Sequence, residues 1–346
     1  MPRGKEVLNM SKKTSLLLIT LTLVMTLALP FLVPSGAMLS HQANRLNDAL
    51  WEPEEGDDSA SGLLDWLLPV AKAESAPAAS LPVDFSPGQV PDPSKFTENG
   101  YEDGSISVRL ETLEKDGVTW RIARVDIAHA SQLRTGVAGS VRSPRYGLIS
   151  EMSAKQNAIL AINANYMTDQ PAKKTFEYRM GERVRAKGNR TKDTLVIDEQ
   201  GDFHLYIQVN AEKLLNDMKA QGREIINAFT FGPALIKDGA LLTLDSKYGY
   251  NPHGDEPRMG IGQIAPLSYV LVLAEGRTGQ SEGVTHKELA DFMFDLGCMQ
   301  AFNFDGGNSA TMVYNGGYYQ QKTKDNERAQ SDMLYFATLV DPASWQ

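Results

Sequence analysis

Ala301-Phe302-Asn303-Phe304-Asp305-Gly306-Gly307-Asn308-Ser309-Ala310-Thr311-Met312-Val313 is the stretch on which the fold turns. An apolar strand ends at a carboxylate. Two residues without a Cβ follow, then two small polar ones, then a second apolar strand. Gly306 and Gly307 permit positive φ and let another group come close to the backbone. Their successive N–H groups predict a concave anion nest with Asp305 at its rim. A plain turn between strands is the competing reading, since Asp-Gly is a common turn pair.

Outward from this turn the chain reads mostly as strand. Ile106 to Leu110 and Val118 to Ile122 alternate as half-buried strands do, with Asp116-Gly117 as the hairpin turn between them. Ala158 to Ile162 reads as a buried strand ending at Asn163, and Asn315-Gly316 as a hairpin turn. Thr194 to Ile197 and Phe203 to Val209 flank a turn at Gln200-Gly201. Phe229 to Ile236, Met259 to Ile264 and Tyr269 to Ala274 complete the strands. Helices are few. One runs from an Asn210 N-cap to a Gly222 stop. Another opens on the capping box Thr285-His286-Lys287-Glu288, carries Leu289, Phe292, Met293 and Leu296 on one stripe, and ends at Gly297. The expected class is α+β, a mostly mixed or antiparallel sheet with a few packed helices.

Residues 94–346 therefore form the expected folded domain. Residues 38–93 read as a flexible linker: Glu52 to Asp58 is acidic, and 74–93 is rich in Ala, Ser and Pro. Residues 1–37 have the order of a secretory signal or membrane anchor. Arg3, Lys5, Lys12 and Lys13 precede an apolar run from Leu16 to Leu29, followed by Pro30 and Ser35-Gly36-Ala37. Cleaved or retained, such a segment places the rest of the chain outside the cytoplasm. A net charge of −9 argues against a nucleic-acid partner. The single cysteine, Cys298, excludes an intrachain disulfide, and the five histidines show no HExxH-type spacing. No cofactor and no metal are expected.

Three arginines stand at strand ends or in loops: Arg258 after Pro257, Arg277 after Gly276, and Arg328 in Asn326-Glu327-Arg328. A solvated surface role is the ordinary one for an arginine. Beside a Gly-rich nest they suggest anion binding, because guanidinium suits phosphate oxygens.

In order along residues 155 to 340, these motifs resemble those of the phosphodiester glycosidase family. Ala161-Ile162-Asn163-Ala164-Asn165-Tyr166 looks like its A-I-N-G-x-Y-F, and Phe231-Gly232-Pro233 to Asp238-Gly239 is similar to its G-P-x-L-V-x-D-G. Pro257-Arg258-Met259-Gly260-Ile261-Gly262 looks like P-R-T-A-I-G. Glu275-Gly276-Arg277 and Gly283-Val284-Thr285 follow, and Asn303 to Ser309 resembles N-L-D-G-G-G-S. Glu327-Arg328 closes the series. Ala164 replaces a common Gly, Met167 a Phe, and Asn308 the third Gly, a position where Asn tolerates left-handed backbone.

The resemblance implies hydrolysis of a sugar-1-phosphodiester at the anomeric carbon. Its leaving group is a phosphomonoester, already a weak base, so neutralising charge matters more than protonation. The expected catalytic residues are Asp305 as base or nucleophile, with Arg258 and Arg277. Substrate and phosphate contacts are expected from Asn163, Asn165, Tyr166, Glu282, Gly306, Gly307, Asn308, Ser309 and Arg328. Glu282 and Glu275 are reserve carboxylates, and Glu288 is assigned to its capping box. Two rival readings stay open. One is a glycan- or teichoic-acid-binding module without catalysis, and the other a phosphodiesterase that breaks P–O.

Overall fold

The computed structural model describes residues 85–165, 175–187, 191–244, 248–249, 251–322 and 324–345. The expected leader, nearly all of the expected linker, Tyr166 and Met167 lie outside them. Residues 86–89, assigned to the linker on composition, are tied into the domain. Gly88 N–H donates to Gln156 O, Arg134 donates to Ser86 O at 2.8 Å, and Gln89 bridges Thr338. Local composition carries no trace of these long-range bonds.

Among the described residues three large antiparallel sheets enclose one core, beside a two-stranded ribbon of Gly139–Ser140 and Ser143–Pro144. In the largest, of nine strands, Ile106–Lys115 pairs with Val118–Ile127, followed by Ser268–Ala274, Arg258–Ala265, Gln300–Phe304 and Ala234–Lys237. The Asp116-Gly117 turn has φ of 54° and 74°, the positive pair that a tight hairpin of this twist needs. A five-stranded sheet runs Glu182–Ala186, Phe176–Arg179, Ile225–Phe231, Asp193–Asp198, Phe203–Tyr206. A second runs Gly317–Tyr318, Met312–Tyr314, Leu160–Asn163, Asp332–Phe336, Leu133–Val137. Val108, Phe302 and Leu271 from the first, Leu195 and Phe229 from the second, and Ile162 and Leu334 from the third pack together. Burying each such side chain contributes roughly 1.5–3 kcal/mol.

Each sheet turns its other face to a helix. Helix α1 (Ile149–Lys155) lays Ile149 and Met152 on Ala161, Met333 and Tyr335. Helix α2 (Ala211–Ala220) lays Leu214 and Met218 on Val196 and Ala228. Helix α3 (His286–Asp295) lays Leu289, Phe292 and Met293 on Trp120, Val270 and Val272, with Phe292 stacked on Trp120 at 3.8 Å. The close approach of α3 explains the alternating glycines of Met259-Gly260-Ile261-Gly262. A Cβ at Gly260 would meet Met293 Sδ at 2.5 Å, and one at Gly262 would meet Cys298 Sγ at 2.4 Å.

Two expectations change. Phe229 to Ile236 is not one strand. Ile225–Phe231 belongs to one sheet and Ala234–Lys237 to another, because Gly232 has φ 80° and Pro233 has no N–H for the ladder. Helix α1 was not foreseen. Its N-cap, Leu148, makes no side-chain cap. The cap comes from far along the chain: Glu327 Oε1 accepts from Ile149 N–H at 2.6 Å and Ser150 N–H at 3.3 Å. Both other helices are capped as read, Asn210 bonding Lys213 N–H and Thr285 with Glu288 closing a full box.

Candidate active site

Asp305 stands at the end of the strand Gln300–Phe304, where it leaves the nine-stranded sheet. Two neighbours fix its backbone: Asn163 Nδ2 donates to Asp305 O at 2.7 Å, and Asp305 N–H donates to Ala164 O. The Ser309 hydroxyl and the Gly306 N–H lie close enough to act on its carboxylate. Oδ2 is buried and has no hydrogen-bond partner. Burial pushes this carboxyl above the ordinary carboxylate range. Ser309, the Arg328 charge and the Gly306 N–H oppose that shift, and the Asp332 charge adds to it.

The two glycines do a different job from the one their N–H groups suggested. Gly307 N–H donates to Pro257 O at 2.7 Å and so is not aimed at a ligand, while the Gly306 N–H acts on the Asp305 carboxylate. What the turn needs is the missing Cβ. At Gly306 a Cβ would lie 2.5 Å from Pro257 O, and at Gly307, with φ 58°, it would lie 3.5 Å from the Arg277 guanidinium. Asn308 does not take up a left-handed backbone. It sits in the 3-10 turn Gly307–Ser309, and its Oδ1 accepts from Arg277 Nη1 at 3.0 Å.

Beside this turn lies a cleft of about 500 Å³. Arg277, Lys322 and Arg328 bring positive charge to its wall. Gly307, Asn308, Glu275, Gln320 and Gln321 also line it. Arg277 itself is in a left-handed conformation, φ 60°, which costs a residue with a Cβ about 1–2 kcal/mol. Glu256 grips its Nε at 2.7 Å and Nη2 at 2.5 Å, leaving the side chain half exposed across Gly307. Lys322 is half-buried, and its ammonium donates to Asn308 O, Ala310 O and Thr311 Oγ1, locking the end of the turn. Burial pushes it down to about 8.

A family model described as phosphodiester glycosidase matches residues 156–337. That span is more than half of the chain and contains Asp305, both cleft arginines and the turn between them. The chain belongs to the phosphodiester glycosidase family.

Other comparisons give three likenesses. The chain is 25% identical over 191 residues to the SPbeta prophage-derived uncharacterized protein YomE of Bacillus subtilis (strain 168). This alignment takes in 54% of the chain and only 29% of that relative's length. The fold is similar to a solved structure of the zebrafish N-acetylglucosamine-1-phosphodiester alpha-N-acetylglucosaminidase catalytic domain, auto-inhibited by its pro-peptide. The TM-score is 0.54 at 17% identity, covering 72% of this chain and 87% of that one. A hypothetical protein from Synechocystis matches at TM-score 0.47 and 14% identity, over 67% and 62% of the two chains.

Within this member of the family the sequence-expected residues separate into two groups. Arg277, Gly307, Asn308 and Arg328 meet at the cleft, with Asp305, Gly306 and Ser309 adjoining. The others serve the frame. Arg258 is buried, and its Nε donates to Val284 O, Nη1 to His286 Nε2, and Nη2 to Asn251 O and Gly254 O. Burial, then the Arg258 charge, pushes His286 down to about 3, so it is neutral and can accept this bond. Asn163 donates to Asp305 O and accepts from Thr311 N–H, and Asn165 is held by Glu177 and Arg179. Glu282 is exposed and meets Arg277 only through backbone, its O accepting Arg277 N–H. Glu275 lines the cleft but is paired with Arg121 at 2.6 Å. Glu288 does close the capping box. Tyr166 lies outside the described residues.

The sequence reading passed over three groups. Lys322 is one, and the role of Glu327, quoted above only as part of the closing motif, is the second. Glu327 also accepts from Ser150 Oγ and Tyr318 Oη, which anchors the segment carrying Arg328. The third is a buried charge set behind the 163–165 segment. Arg179 is fully buried and donates to Asp332 Oδ2 at 2.7 Å and Glu177 Oε2 at 3.1 Å. A clue existed in Phe176-Glu177-Tyr178-Arg179. Alternation in a strand puts Glu177 and Arg179 on one face and the two rings on the other.

Proposed function

We propose that this phosphodiester glycosidase is an extracytoplasmic hydrolase that cleaves the anomeric C–O bond of a sugar-1-phosphodiester in an envelope glycopolymer or exopolysaccharide. The observation that carries this reading is the unpartnered Asp305 Oδ2 next to a cleft bearing Arg277 and Arg328. A carboxylate with an open lone pair and a raised proton affinity is suited to take a proton from water. In this reading Asp305 removes a proton from water as the water oxygen bonds the anomeric carbon. The carbon–oxygen bond to phosphate breaks, and its electron pair stays on the phosphate oxygen. Arg277 and Arg328 balance the charge that grows there, which is the larger requirement when the leaving group is a phosphomonoester. The proton then leaves Asp305 for solvent. The polar amides of Gln320 and Gln321 on the cleft wall suit a hydroxyl-rich ligand.

The extracytoplasmic location rests on the basic, then apolar, then small-residue order of the first 37 residues. Among the described residues no helix is long and apolar enough to cross a membrane.

The test is hydrolysis by the full chain of UDP-GlcNAc and simple sugar-1-phosphodiesters in oxygen-18 water, with Asp305→Asn as control. Label in the released sugar supports C–O cleavage. Label in the phosphate makes it a phosphodiesterase. Saturable binding of these compounds with no turnover makes it a binding module.

A further inference from the structure

Arg142, Arg145, Arg183, Arg185 and Lys187 take no part in the chemistry above. They fall in two described stretches, 139–145 and 180–187, in which the one acidic residue is Glu182. The chain as a whole carries −9. The strand Glu182–Ala186 is the outermost of its five-stranded sheet, so one of its edges has no neighbouring strand among the described residues. The ribbon of Gly139–Ser140 and Ser143–Pro144 stands at one end of it, where Arg142 Nε meets Glu182 Oε1 at 3.4 Å. Arg142 is 89% exposed even so, and Arg145, Arg183 and Lys187 are exposed. Tyr146, half exposed, follows Arg145.

The register of the strand spreads these charges along the edge. Arg183 lies opposite Tyr178 and Arg185 opposite Glu177, so Val184 is an extra residue, a bulge. Arg185 and Lys187, whose N–H donates to Thr175 O, then share the face of Glu182 and Arg142, and Arg183 takes the other. From Glu182 to Lys187 the row extends roughly 16 Å, at about 3.3 Å per residue. Its Lys187 end is next to the site. Phe176 N–H, one residue on from Thr175, bonds Thr230 Oγ1, and Thr230 O accepts from Asn165, the neighbour of the Ala164 that holds Asp305 N–H. Charges and a bulge on an edge strand also prevent edge-to-edge pairing. That explains a charge or two of either sign. It does not explain a single sign in an acidic chain, continued by arginines on a separate ribbon.

We propose that this edge is a binding surface for a linear polyanion, whose phosphates lie along the row from Arg142 to Lys187 while one of its sugar units reaches Asp305. The proposal rests on the reading of the substrate as an envelope glycopolymer, and narrows it to one whose backbone carries repeated phosphate. Guanidinium groups suit phosphate oxygens, and a row of one sign raises the local concentration of a polymer of the opposite sign. A row on a strand edge fits a chain better than a plane of lipid headgroups. Binding to such a plane also calls for an apolar face to insert, and Tyr146 is the one exposed large apolar side chain in or next to the two stretches.

The probe is end-labelled poly(glycerol phosphate), its binding to the full chain followed by fluorescence anisotropy. Labelled dextran and phosphatidylglycerol vesicles, the latter read by co-sedimentation, are the other arms. The wild type should bind poly(glycerol phosphate), more weakly as salt rises, and leave dextran unbound. The triple variant Arg142→Gln, Arg183→Gln, Lys187→Gln changes only exposed side chains. It should raise Kd about tenfold or more and flatten the salt dependence, while turnover of a simple sugar-1-phosphodiester stays as in the wild type. Glu182→Gln removes the one carboxylate in the row and should tighten binding. Equal affinity in the wild type and the triple variant overturns the proposal. So does binding to vesicles and not to polymer. Polymer binding that appears only once the carboxylates between Glu52 and Asp58 are changed to amides overturns it too, and gives the surface to the chain's own linker. Polymer held by the row but never hydrolysed upholds the surface and refutes the catalytic reading. A small phosphodiester hydrolysed with no polymer bound does the reverse.

Discussion

The interior behind Asp305 and the cleft beside it are both rich in charge, but they hold it differently. Behind, Arg179 and Arg258 are buried, and their N–H groups end on carboxylates, a neutral imidazole and carbonyls. In the cleft, Arg277 is half exposed and gripped from one side by Glu256, so that its other face lies over Gly307. The difference shows that a family's shared arginines are not equivalent. Those in a dry environment fix loops, and only those whose partners leave a face toward water can meet an anion. Asp305 lies on the border, with its main chain held from behind and one carboxylate oxygen without a partner.

Substitutions on the two sides should separate accordingly. The largest effect is expected at the border. Asp305→Asn should lower kcat by about 10²–10⁴-fold or more while the protein stays folded and still binds substrate. Full activity in that variant would remove the base from the mechanism. Next come the arginines. Arg277→Ala should lower kcat/KM by roughly 10²-fold, and by less on a nitrophenyl than on an alkyl sugar-1-phosphodiester, because the better leaving group needs less charge balance. Arg258→Ala should act through folding. It leaves the buried His286 Nε2 without its donor, at about 1–3 kcal/mol for a buried group left unpaired, removes the bonds that tie down Val284 O, Asn251 O and Gly254 O, and lowers Tm before kcat. Kinetics and melting curves on the same preparations decide between these outcomes.

The interior should also show itself in the pH dependence of stability. Glu177 has a proton affinity raised from 4.5 to about 7, so the folded chain binds this proton more tightly than the unfolded chain. The stabilisation is fully present below about pH 4.5 and is lost as pH rises through 7. The Tm of Glu177→Gln, measured relative to wild type, should therefore improve steadily between pH 5 and pH 8. A difference that stays flat would mean Glu177 is ionised throughout. The smallest effects lie far from the border. Thr285→Ala removes the α3 cap and should cost about 0.5–2 kcal/mol. Glu288→Gln should leave turnover nearly intact, since Gln also completes a capping box.

What the sequence made legible follows from the range of the interactions involved. The Asp116-Gly117 hairpin, the α3 capping box and the Asn210 cap are specified by residues two or three apart, and each is found where local pattern puts it. Asp305 and its glycines could be read because a strand, a turn and a strand are contiguous. Helix α1 could not, because its cap, Glu327, lies 178 residues from Ile149. The fates of Arg258 and Arg277 could not be read either. Both follow a Pro or Gly at a strand end, and only the packing of the Asn251–Gly254 loop and of α3 determines which one is enclosed. The Glu177–Arg179 pair had a local signature, a strand with both charges on one face, but its meaning depended on Asp332 arriving from another sheet.

The bridge between Gln89 and Thr338 brings the beginning and the close of the described domain to the same edge. Topologically the domain is thus nearly a closed ring. A linker of about ten residues, at up to 3.3–3.6 Å each, has ample reach to join its two ends. New termini could then be opened at the exposed Asp116-Gly117 hairpin without cutting any of the bonds that hold Asp305.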